Sequence, residues 1–328
     1  MQTSYIYSVS RVNALSQFLL NKTDIERLLV AEPGEDLQSA LKETYLAPYV
    51  VHVPDESIPL AIEMTLIEAK RLIQRLAPRG DVFKIMWIQY DIHNLRVLAK
   101  AKTKDIPFSE CRPLMSERGV YTPEYLYEQV ENNNLDSLQP EWQAGFMAAL
   151  DSADDGDIGQ IDIIFDHLYF KTGQRIVDKG KDDFMRCYFR VLIDLYNLKS
   201  RLRALKNPGV ALAENFIPGG SFRRDQIETK EELKERFYSL GGEHFWREAI
   251  EFHEETGHFS QVETKAAEYL LTVAKEGSRD MFSAASLVLY YLKCRQAAAN
   301  IRNIVVGKNS GLPVEVIRRN LRMAYVND

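Results

Sequence analysis

Apolar positions recur at three- and four-residue spacings through most of the chain. Tyr5, Val9, Val12, Leu15 and Leu19 form one such face near the start, the pattern of a helix laid against a core. Thr23 or Asp24 is placed to cap the next helix, with Glu26 and Arg27 in its first turn. A long periodic run opens at Pro59 and passes through Ile62, Leu66, Ala69, Leu72, Ile73 and Leu76 before Pro78 and Gly80 end it. A second helix is expected from about Asp81 to about Lys102. The helix–break–helix arrangement then returns twice. Ile161 to Val177 is periodic, Lys179 and Gly180 interrupt it, and Asp182 to Leu205 follows, ending before Asn207, Pro208 and Gly209. Val262 to Lys275, a break at Gly277, and Met281 to Val306 closed by Gly307 make the third.

The three second helices share a register. Tyr90-Asp91-Ile92-His93-Asn94-Leu95-Arg96, Ile193-Asp194-Leu195-Tyr196-Asn197-Leu198-Lys199 and Gln296-Ala297-Ala298-Ala299-Asn300-Ile301-Arg302 place an asparagine, an aliphatic residue and a base in the same order. Asn94 and Asn197 are 103 residues apart, and so are Asn197 and Asn300. Each helix leads through a loop to a helix start, at Thr122-Pro123-Glu124, Arg224-Asp225-Gln226 and Leu312-Pro313-Val314. Thr23-Asp24-Ile25 resembles these starts, as though one unit were cyclically permuted at the chain ends. This period exceeds those of the usual solenoids. It predicts an all-α fold of three homologous helical subdomains in a pseudo-threefold array, residues 1–130, 131–230 and 231–328.

Composition agrees with this reading. Of 328 residues, 45% are hydrophobic, enough for one large core or several small ones, and Gly (17) and Pro (12) are sparse. The net charge of -6 argues against wholesale nucleic-acid binding, which wants a basic surface. Cys111, Cys187 and Cys294 are few and far apart, so neither a disulfide framework nor a CxxC metal site follows, and a reducing compartment is expected. Met1 to Leu20 lacks the basic-then-apolar order of a signal peptide, and no stretch is apolar enough to span a bilayer.

Candidate chemistry is thin. His253-Glu254-Glu255-Thr256-Gly257-His258 is one residue too long for a zinc helix, because a spacing of five sets the imidazoles ~140° apart. Asp151-Ser152-Ala153-Asp154-Asp155-Gly156-Asp157 has Ala153 where a calcium loop needs an oxygen, and Asp162 where it needs a glutamate. Gly219-Gly220-Ser221 and Gly307-Lys308-Asn309-Ser310-Gly311 do not have the P-loop spacing; Gly307 and Gly311 read as helix-end and turn glycines. No catalytic residue, cofactor or metal is assigned. The pairs Asp91/Asn94 and Asp194/Asn197 admit a rival, a magnesium-dependent helical enzyme of prenyl chemistry. Each Asp stands alone, however, and the third repeat has Ala297, so the pairs read as structural, bonding each other or nearby backbone. The bases after each asparagine are Arg96 and Lys100; Lys199, Arg201, Arg203 and Lys206; and Arg302 and Lys308. They are solvated faces or, if three equivalent helices surround an axis, strips facing an acidic or polar protein partner. The candidate partner-binding residues are therefore Asn94, Arg96, Asn197, Lys199, Arg201, Arg203, Asn300, Arg302 and Lys308.

Four segments resemble a known family in their order and spacing. They are Tyr5 to Leu15 with Leu19-Leu20 and Glu26-Arg27; Phe165-Asp166-His167-Leu168-Tyr169-Phe170; Asp194 to Lys199; and Asn300 to Ile304 with Gly307-Lys308 and Gly311 to Arg318. The family is that of the C subunits of V-type and A-type ATPases, named d in eukaryotes, and the resemblance covers essentially the whole chain. It implies a funnel-shaped, all-helical, non-catalytic central-stalk socket that binds no nucleotide or catalytic metal. It also implies shaft and membrane rotor-ring proteins as partners, and a peripheral place on the cytoplasmic face of the membrane. Three repeats cannot match most ring sizes one-for-one, so adaptable loops are the expected contacts, at about Pro107 to Tyr121, Asn207 to Arg224 and Gly307 to Pro313. A generic helical adaptor is the other alternative.

Overall fold

The computed structural model describes residues 5–50, 58–78, 80–206 and 215–326, all helical or loop with no strand among them. The expected break at Asn207, Pro208 and Gly209 lies outside the described residues. In chain order the helices are α1 (Ile6–Ser16), α2 (Lys22–Val30), α3 (Glu35–Lys42), α4 (Ala47–Val50), α5 (Ile58–Leu76), α6 (Lys84–Lys102), α7 (Phe108–Cys111) and α8 (Pro123–Glu131). They continue with α9 (Trp142–Asp154), α10 (Ile158–Gly180), α11 (Asp183–Lys206), α12 (Lys230–Ser239), α13 (Glu243–Thr256), α14 (Ser260–Gly277), α15 (Ala285–Asn309) and α16 (Val314–Arg319). They form two compact units, residues 81–262 and residues 1–80 with 263–328.

In the unit of residues 81–262, α6 buries Trp87, Ile88, Ile92, Leu95 and Leu98 on several faces and is a central helix rather than an amphipathic one. Trp142 and Phe146 of α9 and Ile161 and Phe165 of α10 close over it in one core. The Phe146 and Phe165 rings meet edge to face at 6.3 Å. The buried Trp142 Nε1 donates to Thr172 Oγ1 at 3.1 Å, so its one polar group is satisfied. Further on, α11 packs against α10 and α12, and Phe237 of α12 meets Trp246 of α13 at 4.9 Å.

In the other unit, α15 is the central helix, packed on α1 and α5. The start and end of the chain meet here: α2 lies against α16, and Arg318 pairs with Glu26.

Helix ends differ from expectation where local bonds decide them. The cap of α2 is Asn21, because its Oδ1 accepts the Asp24 N–H at 2.9 Å while Asp24 returns the bond to the Asn21 N–H at 3.1 Å. Gly180 is the last residue of α10, and Lys181 makes the left-handed exit at φ 50°. Gly307 does not close the third long helix. It lies inside α15, where a Cβ would sit 2.7 Å from Ile317 Cγ1, so its role is to let α16 fold back closely. Gly311, at φ +69°, is the turn glycine.

Candidate functional site

Asn94, Asn197 and Asn300 lie on α6, α11 and α15 and are 0%, 2% and 0% exposed. A buried carboxamide is costly unless both its donor and its acceptor are used. Each of the three uses them in the same way, as a side-chain copy of a peptide group. Asn94 Nδ2 donates to Ser116 O at 2.9 Å and Oδ1 accepts the Ser116 N–H at 2.8 Å. Asn197 makes both bonds with Ile217, each at 2.8 Å. Asn300 makes them with Arg322, at 2.9 and 2.7 Å. The clamped residues lie 22, 20 and 22 positions downstream. Each long helix thus fixes one point of a downstream segment: after α7 for Asn94, before α12 for Asn197 and after α16 for Asn300.

The aspartates one turn earlier add a second anchor in two of the three places. Asp91 Oδ2 accepts from Val120 N at 2.8 Å and Oδ1 from Tyr121 N at 3.0 Å. Asp194 Oδ1 accepts from Ser221 N at 2.6 Å. Burial pushes the Asp194 carboxyl above its usual range, against the pull of the Ser221 donors. Both carboxylates press on a glycine three residues past the clamp: a Cβ on Gly119 would lie 2.2 Å from Asp91 Oδ1, and one on Gly220 would lie 2.4 Å from Asp194 Oδ1. In the third place the sizes are exchanged. Ala297 stands on the helix, and Tyr325 stands three residues past Arg322 with its hydroxyl 3.5 Å from Asn300 Nδ2. The next amide, Val326 N–H, is taken by Met323 O at 2.9 Å, so no carboxylate is called for. Along the sequence, Asp, Asp and Ala on the helices go with Gly, Gly and Tyr three residues past the clamped residue. Both oxygens of Asp91 are committed to main-chain amides, as a structural role requires.

The other candidates resolve locally. His253 is buried on the last turn of α13, with Nδ1 3.2 Å from His258 O, and Gly257 ends that helix at φ 78°. The acidic run 151–157 is the last turn of α9 and the short connection to α10. There Gly156 takes φ 87°, and Asp157 caps α10 by accepting from Gln160 N at 3.2 Å.

The bases after the asparagines do not share one environment. Arg96 Nη2 donates to Asp166 Oδ1 at 2.6 Å, and Lys100 Nζ bonds both oxygens of Asp162, at 2.8 and 3.0 Å. Asp166 also accepts from the Tyr196 hydroxyl at 2.8 Å, which ties α10 to α11 as well as to α6. Burial and then the Asp166 charge push that phenol up. Lys199 is half-buried. Arg201 donates to the carbonyls of Ile227 (3.1 Å) and Glu228. Arg203 lies 4.2 Å over the Phe259 ring. Arg302 is exposed, and Lys308 donates to Ala31 O at the end of α2. The periodicity of the sequence does not single out Asp162 and Asp166, although their four-residue spacing mirrors that of Arg96 and Lys100. Nor does it single out Gly119 and Gly220, which appear once the alignment of repeats is carried past the helices into the loops.

Residues 8–320 match the model of the ATP synthase (C/AC39) subunit family. Among curated proteins, the C subunit of the A-type ATP synthase of Methanocaldococcus jannaschii is 22% identical, the alignment covering 96% of this chain and 85% of that protein. Its counterpart from Thermococcus kodakarensis is 23% identical over 96% of this chain and 90% of its own. The C subunit of the V-type sodium ATPase of Enterococcus hirae is 20% identical over 94% of each.

Proposed function

Because the chain belongs to the ATP synthase (C/AC39) subunit family, and so is a component of a rotary ATPase, we propose that it is the non-catalytic central-stalk socket of that machine. In this reading it joins the rotor shaft to the membrane ring during ion transport. It sits peripherally on the cytoplasmic face; among the described residues no helix is long and apolar enough to cross a membrane. The observation that carries this reading is the asparagine clamp, repeated three times at 103-residue intervals. A torque coupler must resist deformation, and packed helical cores do so. Each clamp extends that stiffness from a long helix into a downstream segment, so three segments are fixed by the same construction. Three homologous subdomains, 1–130, 131–230 and 231–328, in a pseudo-threefold funnel would present those segments together.

The magnesium-enzyme reading needs carboxylates free to hold a metal, whereas Asp91 has both oxygens on main-chain amides. No particular observation favours a generic adaptor. Purification of the native complex through a tag on this chain, with partners identified by mass, tests the proposal. Shaft and rotor-ring proteins are expected in fixed ratio to the tagged chain; recovery of the chain without them would sink it.

A further inference from the structure

Helix α15 is buried on most of its faces, and one outer stripe is the exception. Arg295, Ala299, Arg302 and Val306 follow one another at intervals of four, three and four, which keeps them within about 60° of one another at 3.6 residues per turn. Arg295 and Arg302 are exposed, Val306 is 57% exposed, and only the methyl group of Ala299 stands between the two arginines.

A third arginine joins them from further along the chain. Asn300 holds both main-chain groups of Arg322, at 2.9 and 2.7 Å, and Asn303 Nδ2 donates to Asn320 O at 2.9 Å. Residues 320–322 therefore lie along α15 beside the stripe. Burial, and then the Arg295 charge, hold the half-buried Arg322 guanidinium below the ordinary arginine pKa. Glu263 and Glu268 of α14 pull the other way without making up the difference, and Glu268 is itself paired with Lys265 at 2.9 Å. Neither Arg302 nor Arg322 has an ion pair among the described residues. The stripe is thus a local excess of positive charge on a chain whose net charge is -6. Like charges held together by the fold repel, and a carboxylate set between them removes that cost; the planar guanidinium takes it with two parallel bonds.

We propose that this stripe is the docking site for an acidic segment of another protein of the assembly, which sets carboxylates against Arg295, Arg302 and Arg322 and an apolar side chain on Val306. The inference rests on the reading of the chain as a rotary ATPase component. It goes beyond the shared register of the repeats, which marks Arg302 but neither Arg295 nor Arg322. A protein segment suits the stripe better than a phospholipid surface. Glu263 and Glu268 stand close enough to act on Arg322, and a flat anionic membrane would meet them together with the arginines, whereas a polypeptide places each carboxylate singly.

The experiment uses the assembled complex carrying the full chain, with a photo-reactive residue in place of the exposed Val306. Cross-links are expected in one segment of one partner, with at least two Asp or Glu nearby in its sequence. The double variant Arg295→Glu/Arg302→Glu should cut the yield about tenfold at low salt, and raising the ionic strength from ~50 mM to ~300 mM should weaken the wild-type cross-link. Arg322→Gln should lower the yield and Arg322→Lys should retain most of it. Changing the acidic residues of the cross-linked segment to Lys should restore the yield of the double variant, a rescue that mere damage to the fold does not allow. Thermal melting serves to show that the variants fold. Cross-links to lipid, to a segment without carboxylates or to nothing, or a yield indifferent to the double variant, overturn the docking site and leave the proposed function standing, provided the chain still purifies in the complex. Loss of the wild-type chain from the complex overturns both.

Discussion

At the scale of single residues, the three asparagines do what no other side chain of their size can do. A carboxamide carries a donor and an acceptor side by side, so it pairs with a main-chain N–H and C=O of one residue as a neighbouring strand would. Replacing Asn94, Asn197 or Asn300 by Ala leaves both main-chain groups buried and unpaired, a cost of about 2–4 kcal/mol at each site. Aspartate keeps the acceptor, loses the donor and sets a charge beside a carbonyl. Asn94→Asp is therefore expected to destabilise at neutral pH and to recover on acidification, when the carboxyl regains a proton to donate. Denaturant midpoints at pH 7 and pH 4.5 measure this; a loss unchanged between the two would count against the paired geometry. The sequence shows the asparagines and their spacing but not the bonds, because the partner is main chain and has no residue signature. The exchange of Asp and Gly for Ala and Tyr was half visible. Ala297 stood out as the irregular member, but Tyr325, three residues past the third clamped residue, is found only once that clamped residue is known.

At the scale of elements, the apolar period gave the long helices to within a few residues, since burial of a continuous face is what that period encodes. It failed at the ends, where a single bond decides. Asn21 rather than Thr23 or Asp24 caps α2, and Gly307 serves close packing inside α15 rather than termination. It was also silent on α15 as a chemical environment. Tyr290 and Cys294 of that helix, with Tyr45 and Tyr325, have pKa values pushed up by burial, the Cys294 thiol to about 12. Folded values above the unfolded ones, ~8.5 for Cys and ~10 for Tyr, mean that the folded state keeps protons the unfolded chain releases. The stability these groups contribute is intact below the unfolded values and is lost as pH climbs toward the folded ones. The urea midpoint should therefore fall between pH 8 and pH 11, and the fall should be shallower in Tyr325→Phe, which removes one of the titrating groups. Equal midpoints at the two pH values would contradict this.

At the scale of the whole molecule, equivalence of position in the three repeats does not bring equivalence of task. Arg96, Lys199 and Arg302 occupy one register, two places after the clamping asparagine. Arg96 nevertheless sits in a network with Asp162, Asp166 and Tyr196 that joins three helices, whereas Arg302 is exposed. A ring of three matching cations around an axis would require all three to be available together. The pairing of Arg96 argues that the first repeat uses its base for cohesion and leaves partner recognition to other surfaces. Arg96→Glu places a carboxylate against Asp166 with no cation between them, so it should lower thermal stability and disturb assembly only as far as the fold is lost. Arg302→Glu should leave the melting temperature within about a degree, since isolated surface changes usually move stability by less than ~0.5 kcal/mol. If Arg302 faces a neighbouring protein of the complex, the same variant should weaken that neighbour's retention, most clearly at low salt where surface charges are least screened. Melting curves for both variants, set beside the stoichiometry of the purified complex at two ionic strengths, separate the roles. A melting temperature that falls for Arg302→Glu but not for Arg96→Glu would reverse the assignment.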